Sequence, residues 1–326
     1  LGSTGRDISF DLKRIEGYRN FCNKLWNASR FVYMTTDDYN YEDRIKFDNL
    51  TTYEKFIIIK LDDLVTEYKK HCTSYRFDLM ANSLYSFIWN EYCDWFVEIS
   101  KVEIDNGNEY TKNVLIYTLQ IILKLCHPII PYITEEIWNE MNSLGYTKDR
   151  ILMNAKFPSQ QKIFKDDYIG KEVSLLKEFI NKIRKTRSDL NVHPKIKIDI
   201  YCMSKDDLVK KFLANNNSII CSLLKVQNIF INEDYFDINE CITVSLENLK
   251  IYIPIKKIID IKTEKERLLK SMVNLESNLA KIEAKLNNKN FIEKAPSEII
   301  QSNFNKQKFF EKEIASVKDL LECLSD

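Results

Sequence analysis

The sequence predicts a mainly α chain in three parts: a helical bundle over residues 1–155, a small α/β domain over 156–260, and a C-terminal antiparallel coiled-coil hairpin over 261–326. Three observations predict it. Apolar residues recur at steps of three and four through most of the first 190 positions, strand-like alternation is confined to 197–253, and heptads begin at Leu268. Glycine and proline number only six each in 326 residues, which suits helices joined by short connections.

The first helix is expected over Asp7 to Met34. At about 100° per residue, Ile15, Tyr18, Cys22, Leu25 and Val32 form one apolar stripe, read as a core-facing seam. Glu16, Arg19, Asn20, Asn23, Asn27 and Arg30 fall together on a different face. Amides and guanidiniums present fixed planar donor patterns, the groups that read base edges and phosphates. Asparagine is a mediocre helix former, and a merely solvated face favours Lys, Glu or Ala.

Thr35 to Thr51 is polar and reads as an exposed loop. Helical rhythm resumes over Thr52 to Cys72 through Phe56, Ile57, Leu61, Leu64, Val65 and Tyr68. A third helix is expected from Tyr75 to Val102, with Phe77, Leu84, Phe87, Ile88, Trp95 and Ile99 in the core. Its run from Leu84 to Phe96 is aromatic on more than one face, as in a central bundle helix, with a base-stacking platform as the alternative. After Asn106-Gly107-Asn108, a fourth helix spans Tyr110 to Cys126. His127 to Pro131 must turn the chain, because two prolines three apart cannot sit inside one regular helix. His127 reads as a packed histidine, and a fifth helix opens at Thr134.

Asn154 to Asp167 lacks periodicity and reads as a connector. The following helix, Gly170 to Leu190, starts the densest positive stretch in the chain: Lys177, Lys182, Arg184, Lys185, Arg187, Lys195 and Lys197 against Glu178 and Asp189. Such a stretch is a natural meeting place for a phosphate backbone. Strands are expected at 197–203, 228–232, 242–246 and 249–253, the last two joined at Glu247-Asn248, with helices over 205–214 and 219–226. Leu268, Met272, Leu275, Leu279, Ile282 and Leu286, then Phe310, Ile314, Val317, Leu321 and Leu324, carry the a/d steps of two paired helices. Lys281, Lys285, Lys289 and Lys294 give the hairpin tip a positive bias.

Composition closes several classes. With 48 basic and 48 acidic side chains the net charge is zero, which excludes a strongly basic RNA-coating protein and leaves local patches. Eight cysteines without a C-x-x-C pair read as small buried hydrophobes in a reducing compartment, and three scattered histidines offer no zinc constellation. No run reaches about 18 apolar residues, so neither a membrane span nor a signal peptide is expected. No P-loop, dinucleotide fingerprint or nucleophile triad is present. Ser204 reads as the cap of the helix after it.

Several segments resemble the carboxy-terminal part of bacterial valyl-tRNA synthetases. They are Gly5-Arg6-Asp7-Ile8, Glu16 to Phe21, Asn23 to Phe31, the run Leu84 to Phe96, the turn His127 to Trp138, Leu190-Asn191-Val192, and Asn290 to Pro296. The last is similar to the hairpin tip that separates this family from isoleucyl and leucyl enzymes. The resemblance implies an anticodon-binding helical bundle, a small mixed domain and a tRNA-binding coiled-coil arm, in a cytoplasmic and monomeric valine-tRNA ligase. It implies valine tRNA and the catalytic half of the same synthetase as partners, with no DNA or membrane. No cofactor is expected in this stretch: the family's His-x-Gly-His and Lys-Met-Ser-Lys-Ser patterns are missing, and Met203-Ser204-Lys205 is a partial echo followed by two acids. ATP and Mg2+ are expected upstream of Leu1, where the chain reads as a carboxy-terminal fragment or a trimmed protein. The tRNA-binding set is then Arg19, Asn20, Asn23, Asn27, Arg30, Lys182, Arg184, Lys185, Arg187, Lys281, Lys285 and Lys289. The alternatives are a free-standing RNA-binding module and a helical scaffold without ligase activity.

Overall fold

The computed structural model describes residues 12–37, 39–160, 167–193, 195–232, 241–254, 261–287 and 297–323. The chain divides into two compact units, Leu1–Glu178 and Phe179–Asp326.

In the first unit, α1 (Leu12–Thr36), α2 (Thr52–Thr73), α3 (Phe77–Ser86), a π-helical segment (Phe87–Phe96), α4 (Val97–Asp105), α5 (Tyr110–Cys126) and α6 (Pro131–Ser143) form a bundle. The centre is α5. Val114, Leu115, Ile116, Leu119, Ile122, Leu123 and Leu125 are all fully buried and point in every direction, so this helix must be covered on all sides. The helices on either side of it in the chain supply that cover.

Three of its four buried polar side chains, Thr111, Asn113 and Gln120, are bonded within the bundle, and the Thr118 hydroxyl is buried without a partner among the described residues. Glu54, buried, accepts from the Thr51 backbone at 2.8 Å through one oxygen and from the Thr111 hydroxyl at 2.6 Å through the other. The first contact completes a capping box at the start of α2, and the second ties that start to the start of α5. Asn113 holds both the N–H and the C=O of Glu42, and Gln120 donates to the Tyr146 carbonyl.

Three expectations are corrected here. The seam of α1 is only half a seam: Leu25 and Val32 are buried, but Ile15 and Tyr18 are 47% and 48% exposed, because the described residues from 15 to 20 reach beyond the cover of the bundle. The third helix is not regular. Large side chains on more than one face of Leu84 to Phe96 exceed what a 3.6-residue stripe can bury, and i→i+5 bonding lets Phe87, Ile88, Tyr92, Cys93 and Phe96 all reach the core. Phe77, expected in the core, is 53% exposed and edge-on to Tyr75 at 6.2 Å, since Tyr75 ends α2 in the left-handed region (φ 55°) and turns the start of α3 outward. Arg76, between them, donates through Nε and Nη2 to the two oxygens of Asp78 and holds that carboxyl low, at about 2.

The fifth helix starts at Pro131, the favoured first-turn position, three residues before Thr134. His127 is packed as expected, its Nδ1 2.9 Å from the Thr134 hydroxyl.

The second unit holds the latter part of α7 (Asp167–Asp189), then β1 (Ile198–Met203), α8 (Asp207–Asn215), α9 (Asn217–Leu224), β2 (Val226–Ile231), β3 (Ile242–Leu246) and β4 (Leu249–Ile253). The sheet order is β2-β1-β4-β3. β1 runs parallel to β2 through the α8–α9 crossover and antiparallel to β4, which forms a hairpin with β3. Ile198, Ile200 and Cys202 alternate inward, as the period of two requires. Ser204 is not the cap of α8: it donates to the Asn248 carbonyl at 2.7 Å, and Asp206 caps the helix by accepting from the Leu208 N–H at 2.9 Å.

Finally, α10 (Ile261–Leu286) and α11 (Ser297–Cys323) pack on each other. Leu268, Ile282, Leu286, Ile314 and Val317 are buried in their seam, whereas Met272, Leu275 and Leu279 are half-buried. Leu324 and the tip motif Asn290 to Pro296 lie outside the described residues.

Two outcomes follow from this packing. Glu54→Ala leaves the Thr51 N–H and the Thr111 hydroxyl short of an acceptor and should lower stability by about 2–4 kcal/mol in urea titration, with Glu54→Gln losing less. Burial pushes the thiols of Cys93, Cys126 and Cys202 up to about 12. In the native chain at pH 8 exposed Cys72 should react with iodoacetamide, while those three react only after unfolding, as read by peptide mass mapping.

Candidate nucleic-acid interface

The outward face of α1 is built by its inward one. Leu25, Ala28, Ser29 and Val32 are buried, and two hydroxyls tie the second half of the helix to the bundle. Tyr33 donates to the Ile137 carbonyl at 2.7 Å and Tyr146 to the Thr36 carbonyl, while Ser29 donates within α1 to the Trp26 carbonyl at 2.8 Å. With that side fixed, the rotation of the helix is set. Arg19, Asn20, Asn23, Asn27 and Arg30 all come out exposed, and none of the five bonds to another described side chain or backbone group.

Lys24 leaves this group. Its ammonium pairs with Asp94 and lies 3.8 Å from the centre of the Trp89 ring, so it pins α1 to the π-helical segment. The rings continue as a stack between α3 and α1, Trp89 on Tyr85 at 5.5 Å and Tyr85, itself 41% exposed, on Phe21 at 5.1 Å. The aromatic run is thus largely committed to bundle packing.

Two members of the exposed face were missed in the sequence. Met34, 77% exposed, falls on the same helical arc, and Trp26, 37% exposed, borders it next to Arg30. The signal was their spacing: Trp26 lies three residues after Asn23, and Met34 four after Arg30. A flat ring beside planar amides and guanidiniums adds a stacking surface to a hydrogen-bonding one.

The basic stretch around α7 separates into structural and solvent-facing cations. Lys177 pairs with Glu91 and lies over the rings of Phe56 and Trp95, at 5.1 and 5.6 Å. Lys182 donates to the Ser245 carbonyl at 2.8 Å and Arg184 to the Leu223 carbonyl at 3.3 Å. Arg187 is only 5% exposed, which removes it from the groups a phosphate can reach. Its guanidinium donates to the carbonyls of Leu224, Ile196 and His193 at 2.6, 2.7 and 3.2 Å, tying the end of α9 to the turn after α7. Lys185, Lys195 and Lys197 face solvent. On the arm, Lys281 and Lys285 are exposed, and Lys289 lies outside the described residues. Among the described residues no helix is long and apolar enough to cross a membrane.

Comparison with known proteins gives two matched regions. Residues 54–202 match the anticodon-binding domain of tRNA ligases, and residues 260–325 match the valyl tRNA synthetase tRNA binding arm. Curated relatives match along nearly the whole chain. A valine–tRNA ligase of Buchnera aphidicola subsp. Acyrthosiphon pisum is 37% identical over 313 residues, covering 94% of this chain and 32% of the relative. That of Francisella tularensis subsp. tularensis is 35% identical over 331 residues, 99% of this chain and 35% of the relative. The chain spans about a third of the length of the curated relatives it matches.

The three-carbonyl grip of Arg187 depends on a planar fork. Arg187→Lys should serve one carbonyl in place of three and destabilise the second unit by about 1–3 kcal/mol, seen as faster hydrogen exchange at the end of α9 and the start of β1.

Proposed function

Because the chain belongs to the valyl-tRNA synthetase family through its anticodon-binding domain and its tRNA-binding arm, we propose that it is the tRNA-recognition part of a valine–tRNA ligase. The observation that carries the reading is the exposed face of α1. Five planar amide and guanidinium groups stand exposed on a helix whose second half is tied to the bundle, with no hydrogen bond to another described residue to occupy them. In this reading Arg19 and Arg30 meet phosphates or guanine, Asn23 and Asn27 bond to base edges of the anticodon loop, Asn20 adds a further amide, and Trp26 offers its ring to an unstacked base. Lys281 and Lys285 on the arm neutralise backbone charge at the outer corner of the tRNA.

Joining valine to its tRNA with ATP and Mg2+ would rest on the two thirds of the family's proteins that lie outside this stretch. The chain by itself then binds valine tRNA without charging it. A cytoplasmic, monomeric protein is part of the same proposal.

The test is a binding titration against valine tRNA and an anticodon-swapped version at two salt concentrations. Tighter binding to the native anticodon, weakening as salt rises, is expected. Arg19→Ala combined with Arg30→Ala should weaken the native tRNA by about tenfold or more, narrow the gap between the two tRNAs, and leave the helical circular-dichroism signal unchanged. Unaltered affinity in that double variant would overturn the assignment to α1.

A further inference from the structure

Within the second unit, an open groove of about 920 Å³ runs between the end of α7, the turn that follows it and the end of α9. Arg184, Lys195 and Lys225 line it with the buried guanidinium of Arg187 beneath, and none of the described residues lining it is acidic. In a chain of zero net charge this is a strong local asymmetry of one sign.

The groove is held rigidly. Arg187 clamps both of its walls through the carbonyls of Leu224, His193 and Ile196. Asn191 and Lys225 each end a helix in the left-handed region, at φ 51° and 54°. Glycine is the ordinary residue for that conformation, and an L side chain there is strained. At Lys225 the chain carries a strained lysine whose side chain stays exposed at the groove. The site is shallow and its cations are spread along it. That suits a run of backbone phosphates better than a small anion, which needs enclosing walls and convergent donors.

We propose that this groove is a phosphodiester-binding track for the backbone of the bound RNA, separate from the base-reading face of α1, with Lys195 and Lys225 as its principal contacts and Arg184 beside them. The proposal rests on the reading of the chain as a tRNA-binding protein and adds a contact region in the small α/β domain. Phosphate contacts position a nucleic acid without reading its sequence. The track therefore acts alike on the native and anticodon-swapped tRNA.

The experiment is tRNA binding by the full chain at a series of salt concentrations, for the wild type, K195E/K225E, K225G and a control pair, K69E/K70E, on the exposed surface of α2. Charge reversal at the groove should weaken both tRNAs by about tenfold or more and make the salt dependence shallower by about two contacts' worth, with the control pair changing affinity far less. K225G should raise the urea midpoint by relieving the strained backbone and still bind RNA more weakly, a combination that a purely structural role for Lys225 does not produce. Because K225G retains the fold by design, it decides the matter even if the double reversal fails to fold. Groove variants that bind like the wild type, or no worse than the control pair, overturn the track and leave the tRNA reading standing. A wild-type chain with no salt-dependent tRNA binding overturns the proposed function and the track with it.

Discussion

The helix Tyr110–Cys126 has no exposed residue, and the architecture of the first unit follows from that. Its apolar side chains radiate in most directions, so other helices must surround it, and most of its buried polar ones find partners inside. Glu54 answers the second need for Thr111 while capping its own helix. One carboxylate thus fixes the start of two helices that lie 57 residues apart in sequence. The helices that cover α5 keep one side each for solvent, and the rotation of α1 is decided by how its buried half seats in the bundle.

Recognition surfaces in this chain are consequences of that seating. The π-helical segment lets five large or medium side chains reach the core and still turns Trp89 toward α1, where Lys24 and Tyr85 stack against it. Those contacts and the hydroxyls of Tyr33 and Tyr146 hold α1 at one angle. A helix free to roll by one residue would replace its amide face with a mixed one.

Most of the architecture was legible because periodicity reports it directly. The covering helices, the four-stranded sheet with its Glu247-Asn248 hairpin, and the paired terminal helices all came from spacing. What escaped depends on partners remote in sequence. Ile15 and Tyr18 sit on the same stripe as Leu25, but a stripe does not tell where cover ends. The i→i+5 segment has no signature beyond an excess of rings. Arg187 counts as a surface cation in any tally of charge, and only the carbonyls of Leu224, His193 and Ile196 make it an interior one. The exposed amide face of α1 was readable because its composition, not its packing, marks it, whereas Lys225 needed the fold to bring it beside Lys195.

The fork of Arg187 has a bearing on how the sequence itself can be read. Only ten of the 48 basic residues are arginine. Where a cation merely keeps the surface wet, lysine serves as well, and most of this chain's cations are lysine, although Arg44 and Arg150 also stand exposed. Arginine persists at Arg187, where three carbonyls share one plane of donors, and at Arg76, which grips both oxygens of Asp78. At those two positions a point charge cannot substitute for a planar group. Arg19 and Arg30 carry the same planar group on the exposed face of α1 with no described residue to grip. In a chain this poor in arginine, their forks stand open to a planar partner from outside.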